Sequence, residues 1–243
     1  MTRDLRQFGR NTEPFSIRLD DMPRDAADLP CTGVIRALPG KRLVCKARWK
    51  GQAVFAKLYF GPRWARRDWQ RELRGIAALK QHGIAAPEII HSGDAGAGKI
   101  HVILFEPLPP ASGLHAAWRL ASGDDERLAL LGVAVGVIAG HHAAGLEQAD
   151  IHLDNFVLSA GRLYTLDGGE IRITGSGELS RRRSLDNLAL FFAQFYPEYE
   201  HLINRVLTAY VKHRGWSPGA RDRHGFMRRV ARLRRGRQRK WLK

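Results

Sequence analysis

The sequence predicts an α+β fold with two lobes, a small β-rich lobe that contains one helix and a larger helical lobe. Short alternating segments separated by turn signals such as Pro39-Gly40 fill the first part of the chain, and longer segments with helical spacing fill the rest. Ligands commonly bind where two such lobes meet, so we expect a cleft there. The predicted parts are residues 1–107, residues 108–220 and a basic C-terminal segment, residues 221–243.

The first part is predicted to contain three strands, one helix and two further strands, in that order. The helix covers residues 63–81, has apolar residues at Trp69, Leu73 and Ile76, and ends before Gly83. The predicted strands cover residues 33–37, 42–49, 53–60, 88–92 and 100–105.

The larger part is predicted to be mainly helical. A chain of 243 residues that is 44% hydrophobic and 26% charged can bury a sizeable core, which excludes disordered, collagen-like and disulfide-framework proteins. One strand-loop-strand segment is predicted over residues 151–166. The predicted helices cover residues 124–142, 184–195, 199–214 and 221–235.

The residues that indicate chemistry surround the predicted strand-loop-strand segment. Asp150 and Asn155 lie five residues apart in a polar loop, and Asp167 follows the next hairpin, before two glycines. Mg²⁺ prefers oxygen ligands and takes one or two from the protein and others from nucleotide phosphates, so Asn155 and Asp167 suit it. Asp150 would then accept the hydrogen bond of a substrate hydroxyl and take its proton. The alternative is that these residues only form turns and caps.

A lysine, Lys57, lies inside an otherwise apolar predicted strand. A buried ammonium group is costly without a partner, and Glu72 on the following helix can supply one. In that arrangement Lys57 would hold the α and β phosphates of a nucleotide. The alternatives are a lysine on an edge strand that extends into solvent, and local pairing of Glu72 with Arg71 or Arg74.

These motifs, in this order, resemble the protein-kinase-like superfamily over residues 33–195. Residues 54–57 are similar to the V-A-I-K strand of that superfamily, residues 150–155 to its H-R-D-x-x-x-x-N loop, and residues 167–169 to its D-F-G segment. The resemblance implies the two-lobed kinase fold, with Lys57 and Glu72 binding ATP. The chain departs from the pattern because it has Gln148 and Gly168 in place of the loop His and the Phe, and because no G-x-G-x-x-G precedes Lys57.

Within the superfamily, residues 71–88 resemble bacterial lipopolysaccharide core kinases, which phosphorylate heptose or Kdo. This resemblance implies an ATP- and Mg²⁺-dependent kinase whose acceptor is a sugar hydroxyl of the lipopolysaccharide inner core or of a related lipid-linked sugar. His152 is similar to a loop residue of aminoglycoside phosphotransferases, so a phosphotransferase for a small molecule stays open. A non-catalytic, kinase-shaped binding protein also stays open because of Gln148, Gly168 and the absent glycine loop.

Two further residues are expected to support the catalytic loop. His152 would donate a hydrogen bond to a carbonyl of the loop. Asp186 looks like the acid that braces this loop from below in kinase folds. As an acid near a helix N-terminus, Asp186 needs no function, and both interpretations stay open.

The net charge of +16 is concentrated at the C-terminal end. Residues 221–243 hold nine Arg and two Lys against one Asp, which amounts to ten of the sixteen net charges. Contact with an anionic membrane or the acceptor, a solvated helix end and a nucleic-acid arm are the three interpretations. Trp241 and Leu242 favour the first, as an interfacial anchor. Nucleic acid is disfavoured because the segment has no base-reading motif and no interleaved aromatic residues.

The sequence also predicts the compartment. Cys31 and Cys45 are expected to be small buried residues in a reducing environment. Residues 1–21 lack the apolar core of a signal peptide, and no segment reaches the about 18 apolar residues that span a bilayer. We therefore expect a cytoplasmic protein, either free or peripheral on the cytoplasmic face of the inner membrane.

Overall fold

The computed structural model of the chain is a mixed α+β structure, with an antiparallel sheet in its N-terminal part and helices in its C-terminal part. It describes Leu5, Phe8 and residues 12–61, 63–175, 177–217 and 220–241, the side chains at 220–222 and 238–241 excepted. Contacts divide the chain into two compact units. Unit 1 comprises Met1–Arg74 and Pro87–Pro109, and unit 2 comprises Gly75–Ala86 and Pro110–Lys243.

Unit 1 is built on one antiparallel sheet with the strand order β1-β2-β3-β4-β6-β5. Its strands are β1 (Phe15–Arg18), β2 (Asp28–Leu38), β3 (Arg42–Trp49), β4 (Gln52–Tyr59), β5 (Ile89–Ala95) and β6 (Ile100–Phe105), and helix α1 (Ala65–Gln81) begins in this unit. Strand β1 is not among the predicted strands, because four alternating residues between charged segments give too weak a signal. It pairs with β2 in the register Phe15↔Cys31.

The core of unit 1 lies on one face of this sheet. Val54, Ala56 and Leu58 of β4 belong to it, together with Cys31 and Cys45. Both cysteines are buried free thiols, which confirms the prediction that they are buried. The alternating residues of β4 point to the other face, so the pleat explains why a charged residue can lie between apolar ones.

Unit 2 is mainly helical and has two small antiparallel sheets, β10-β9-β7 and β11-β8. Its strands are β7 (Ala111–Gly113), β8 (Leu146–Gln148), β9 (Phe156–Ser159), β10 (Arg162–Thr165) and β11 (Ile171–Ile173). Its helices are α2 (Leu114–Leu120), α3 (Asp124–Ala143), α4 (Arg181–Phe192), α5 (Glu200–His213) and α6 (Ala220–Trp241). Short 3₁₀ turns cover Leu153–Asn155, Gly168–Glu170 and Pro197–Tyr199.

The core of unit 2 is formed by apolar faces of α3, α4, α5 and α6. Leu131, Ile138, Phe191 and Tyr210 are fully buried in it. Helix α3 begins after Gly123 with three acidic residues in its first turn, which interact favourably with the positive end of the helix dipole. The four helices predicted for this region correspond to α3, α4, α5 and α6, whereas the seven-residue helix α2 is absent from the prediction.

Among the described helices, none is both long and apolar enough to cross a lipid bilayer.

Candidate active site

Lys57 lies on strand β4, which is an interior strand of the sheet. It is paired with Val44 on β3 and with Ile103 on β6, so the alternative of an edge-strand lysine does not hold. Its side chain is on the face of β4 opposite to the core and is 15% exposed. The Nζ atom lies 5.4 Å from the centre of the Phe105 ring, a favourable distance for a cation–π contact.

Glu72 on α1 is the carboxylate that pairs with Lys57. Nζ of Lys57 donates a hydrogen bond to Oε1 of Glu72, whose side chain is fully buried. Arg74, one of its alternative partners, donates to the backbone carbonyl of Gln70 instead. Because a buried ion pair is costly to desolvate, the pair fixes a charged group in place more than it stabilises the fold.

The part of α1 that carries Glu72 is anchored to the sheet by an aromatic residue. Nε1 of Trp69 lies 3.1 Å from Oγ of Ser92 and 3.2 Å from the carbonyl oxygen of Val102, and donates to both. Trp69 precedes Glu72 by three residues, so both lie on neighbouring parts of the helix surface. This anchor sets the rotation of α1 at which Glu72 meets Lys57.

Asp150 follows strand β8 and has an exposed carboxylate. Its side chain is 65% exposed, and its Oδ2 lies 3.7 Å from Nε2 of His152. The other ring nitrogen of His152 lies 3.7 Å from Oδ2 of Asp154, which also pairs with His115 at 2.9 Å. His152 therefore lies between two loop acids, and Asp150 is open to a molecule that arrives from solvent.

Asn155 is buried at the end of the same loop and is oriented by one hydrogen bond. Its Nδ2 donates to the backbone carbonyl of Asp150 at 2.6 Å, and its side chain is almost fully buried. The amide nitrogen is thus engaged inside the loop, and the amide oxygen, Oδ1, is the atom left to bind a ligand. The backbone N–H of Leu166 donates to the carbonyl of Asn155 at 2.9 Å, which ties the loop to the residue before Asp167.

Asp167 is half-buried and lies before a 3₁₀ turn that packs closely against α1. A Cβ atom on Gly75 of α1 would overlap the carbonyl group of Gly168, so only glycine fits there. The N–H of Thr165 donates to the carbonyl of Ala85 at 2.8 Å, a second contact of this segment with residues that follow α1. Gly168, the residue at which the kinase-like D-F-G pattern would have Phe, therefore packs directly against a glycine of α1.

A buried polar network lies behind the Asp150 loop. Nε2 of His142 donates to Oδ1 of Asn187 at 3.0 Å, and Nδ1 lies 2.7 Å from the hydroxyl of Tyr210. Nδ2 of Asn187 then donates to the carbonyl of Gln148 at 2.8 Å, two residues before Asp150. Burial lowers the pKa of His142 to about 4, while the bond to Asn187 acts against this shift.

His141 belongs to the same buried layer. Its Nε2 lies 2.9 Å from Oγ1 of Thr165, and burial together with the neighbouring His142 lowers its pKa to about 3. Sequence analysis did not identify these two histidines as members of a network. The available signal was two polar residues at the end of an otherwise apolar helix.

Asp186, the acid expected to brace the loop from below, lies elsewhere. Its carboxylate is 45% exposed and pairs with Arg229 of α6 at 2.7 Å. The next residue, Asn187, is the one that binds the loop through the carbonyl of Gln148. A shift of one residue turns a helical side chain by about 100°, which is enough to exchange a buried position for an exposed one.

The predicted turn at Pro39-Gly40 is a tight hairpin between β2 and β3. Gly40 has φ +70°, and the N–H of Lys41 donates to the carbonyl of Leu38 at 3.0 Å. A cavity of about 190 Å³ in unit 1 is lined by this turn and by the start of α1, including the cationic residues Lys41 and Arg63. The lining also includes the carboxylate of Asp68, so the charge around this cavity is mixed.

The predicted metal ligands are compatible with Mg²⁺ in their chemistry. Oδ1 of Asn155 and the carboxylate of Asp167 are oxygen ligands, and the bond from Leu166 to Asn155 joins the two backbone segments that carry them. Within the described residues, no group of three or more His, Cys, Asp or Glu side chains could hold a metal ion. A site of the predicted kind would use one amide and one carboxylate, with nucleotide phosphates as further ligands.

The basic C-terminal segment forms most of helix α6, which packs on the helical core through Phe226 and Val230. Arg229 and Arg234 on this helix pair with acids of α4 and α5. The side chain of Trp241 and the residue Leu242, the predicted membrane anchor, lie outside the described residues. The described part of this segment is therefore a packed helix and not a freely extended arm.

Comparison of the sequence with models of known protein families and with curated proteins finds no match.

Proposed function

We propose that this protein is an ATP-dependent phosphotransferase that transfers the γ-phosphoryl group to a sugar hydroxyl, with the lipopolysaccharide inner core (heptose or Kdo) as acceptor. The observation that carries the proposal is the Asp150 loop. Its exposed carboxylate lies in the same loop as a buried amide, Asn155, whose nitrogen is engaged by the Asp150 carbonyl. The motif order supports the kinase-like class, and residues 71–88 support the acceptor.

In this proposal, each residue has one task. Asn155 and Asp167 would hold Mg²⁺, and Lys57, positioned by Glu72, would hold the α and β phosphates of ATP. The bound Mg·ATP supplies the phosphoryl group and part of the positive charge that stabilises its transfer. His152, between Asp150 and Asp154, would keep the loop acids apart from each other.

Asp150 would act on the acceptor. Its carboxylate accepts the hydrogen bond of the acceptor hydroxyl and takes the proton while the new oxygen–phosphorus bond forms. The bond between the γ-phosphorus and the bridging oxygen breaks in the same step, and ADP leaves. Because little covalent chemistry is required of the protein, positioning dominates its contribution.

The proposal is tested with γ-labelled ATP and core oligosaccharides from kinase-deficient strains. We expect the wild-type protein to label the oligosaccharide in the presence of Mg²⁺, and Asp150→Ala to lower turnover by about 10²- to 10⁴-fold with little change in ATP affinity. Asp154→Ala is the matched control, because Asp154 is an equally exposed acid of the same loop. Wild-type turnover by Asp150→Ala would exclude Asp150 as the base.

Two other outcomes would point to other functions. Transfer to an aminoglycoside in preference to the core oligosaccharide would identify a small-molecule phosphotransferase. Mg²⁺-dependent thermal stabilisation by ATP, without transfer to any acceptor, would identify a kinase-shaped binding protein.

A further inference from the structure

Helix α3 ends in two adjacent histidines that are buried in unit 2. All residues between Arg127 and His141 are apolar or glycine, whereas His141 and His142 are polar and at most 1% exposed. Burial lowers the pKa of His141 to about 3 and that of His142 to about 4, so both rings are neutral near pH 7. A neutral imidazole has one donor and one acceptor nitrogen, so a buried ring fixes the orientation of the group it bonds to.

His142 connects helix α5 to the segment that precedes Asp150. Its Nε2 donates to Oδ1 of Asn187 at 3.0 Å, and Nδ2 of Asn187 donates to the carbonyl of Gln148 at 2.8 Å. Because Nε2 carries the proton, Nδ1 is the acceptor, and the hydroxyl of Tyr210 donates to it at 2.7 Å. A chain of three hydrogen bonds thus begins on α5 and ends two residues before Asp150.

His141 holds the segment that precedes Asp167. Its Nε2 is hydrogen-bonded to Oγ1 of Thr165 at 2.9 Å, and Thr165 is fully buried. Thr165 is the last residue of β10 and lies two residues before Asp167. Neighbouring residues of an α-helix point about 100° apart, so the two histidines reach two different segments from one turn of α3.

We propose that His141 and His142 are positioning residues that fix Asp150 and Asp167 relative to each other. This inference rests on the proposed function and adds the residues that set its geometry. A fully hydrogen-bonded buried network, such as the one around His142, specifies one arrangement of its members. Precise placement is required of a phosphotransferase, since a displacement of about 1 Å can lower the rate about 10²-fold.

The first test uses two substitutions of similar size that each remove one bond. Asn187→Leu releases the carbonyl of Gln148, and we expect kcat to fall about tenfold to hundredfold with little change in the KM for ATP. Thr165→Val removes the hydroxyl that bonds to His141. In this variant we expect the KM for Mg·ATP to rise about threefold to tenfold with a smaller change in kcat. Transfer kinetics with γ-labelled ATP measure both parameters.

Matched variants separate positioning from a general loss of stability. Val230→Ala removes methyl groups from the core of unit 2 and no bond of the network, so it should lower Tm and leave kcat and KM unchanged. Tyr210→Phe loses only the hydroxyl and should lower kcat about threefold, in the same direction as Asn187→Leu. Thr165→Ser keeps the hydroxyl and should lie closer to the wild type than Thr165→Val.

Two kinetic results would overturn the inference. One is a kcat of Asn187→Leu within about twofold of the wild type. The other is a loss of kcat in Val230→Ala that equals the loss in Asn187→Leu, since the effect would then follow stability alone.

The second test does not depend on transfer and uses backbone amides as reporters. The N–H of Ala149 donates to the carbonyl of Glu170 at 2.8 Å, and the N–H of Leu166 donates to the carbonyl of Asn155 at 2.9 Å. These two amides lie in the two segments that the histidines hold. Their hydrogen exchange rates, measured without nucleotide or acceptor, report how firmly each segment is held.

We expect the exchange of the Ala149 amide to be faster in Asn187→Leu, and that of the Leu166 amide to be faster in Thr165→Val, than in the wild type. Unchanged exchange of either amide in its variant would overturn the inference. Faster exchange in both variants of a protein that phosphorylates no acceptor would overturn the proposed function and support the holding of the two segments alone.

Discussion

Two carboxylates with predicted roles, Glu72 in unit 1 and Asp150 in unit 2, lie in opposite environments. The Glu72 side chain is fully buried and pairs with Lys57, whereas the Asp150 side chain is 65% exposed. A buried carboxylate needs a fixed partner because its charge has lost water, while an exposed one can exchange water for a substrate. The difference separates a residue that positions another protein group from a residue that we propose meets the acceptor.

The largest expected effect distinguishes the two carboxylates by stability. Glu72→Ala removes the carboxylate that compensates the buried ammonium of Lys57, so we expect the free energy of unfolding to fall by about 3–5 kcal/mol. Asp150→Ala removes an exposed side chain and should change it by less than about 0.5 kcal/mol. Urea denaturation of both variants and the wild type measures these changes.

A double variant controls for the cost of the charge itself. In the double variant Lys57→Met/Glu72→Leu both charges are absent. We expect it to recover most of the unfolding free energy that Glu72→Ala loses. A Glu72→Ala variant that unfolds within about 0.5 kcal/mol of the wild type would show that Glu72 does not hold Lys57.

A smaller effect is expected where α1 touches the segment that follows Asp167. Gly75→Ala places a methyl group against the backbone of Gly168, and we expect a loss of about 1–3 kcal/mol in unfolding free energy together with weaker Mg·ATP binding. Gly132→Ala is the matched control in α3, because a Cβ there meets open space. That control should stabilise the protein by up to about 1 kcal/mol. Equal stability of both variants would contradict the close packing.

A further effect extends the contrast to histidines and depends on pH. The pKa values of His141 and His142 fall from 6.5 to about 3 and about 4 in the folded protein, so the unfolded chain binds more protons below pH 6.5. Their contribution to stability is complete above pH 6.5. It is lost as pH falls toward these values, by about 1.4 kcal/mol per pH unit for each histidine.

Chemical denaturation at several pH values between 7 and 5 measures the slope of the unfolding free energy against pH. In His142→Gln this slope should decrease by about 1.4 kcal/mol per pH unit, the contribution of one histidine. An unchanged slope in His142→Gln would show that this histidine is not held neutral by burial.

Local sequence patterns were sufficient to predict the pairing of Lys57 with Glu72. The periodicity places Lys57 in an apolar strand and Glu72 on the next helix, and the cost of a buried charge requires a partner. The helices α3 to α6 and the strands β3, β4 and β6 were also accessible from periodicity. Strand β1 and helix α2 were not, because both are too short to display a period.

The remaining features depend on tertiary packing and have no local signal. The choice between Asp186 and Asn187 as the residue that binds the loop depends on the rotation of α4, which is set by the core. The contact of Gly75 with Gly168 joins distant segments, and a glycine inside a helix does not reveal its partner. His142 meets Tyr210 of α5 and His141 meets Thr165 of β10, and no pattern within α3 can indicate either contact.

The hydrogen bond from Asn155 to the carbonyl of Asp150 explains why an amide, and not a second carboxylate, suits this position. An amide side chain is donor and acceptor at once, so one residue can hold the backbone of the base with its nitrogen and offer its oxygen to a cation. Asn155→Asp keeps the shape and an oxygen ligand for Mg²⁺ but places two acceptors 2.6 Å apart. In the proposed function, the chemical asymmetry of a single amide would thus couple the geometry of proton transfer to that of metal binding.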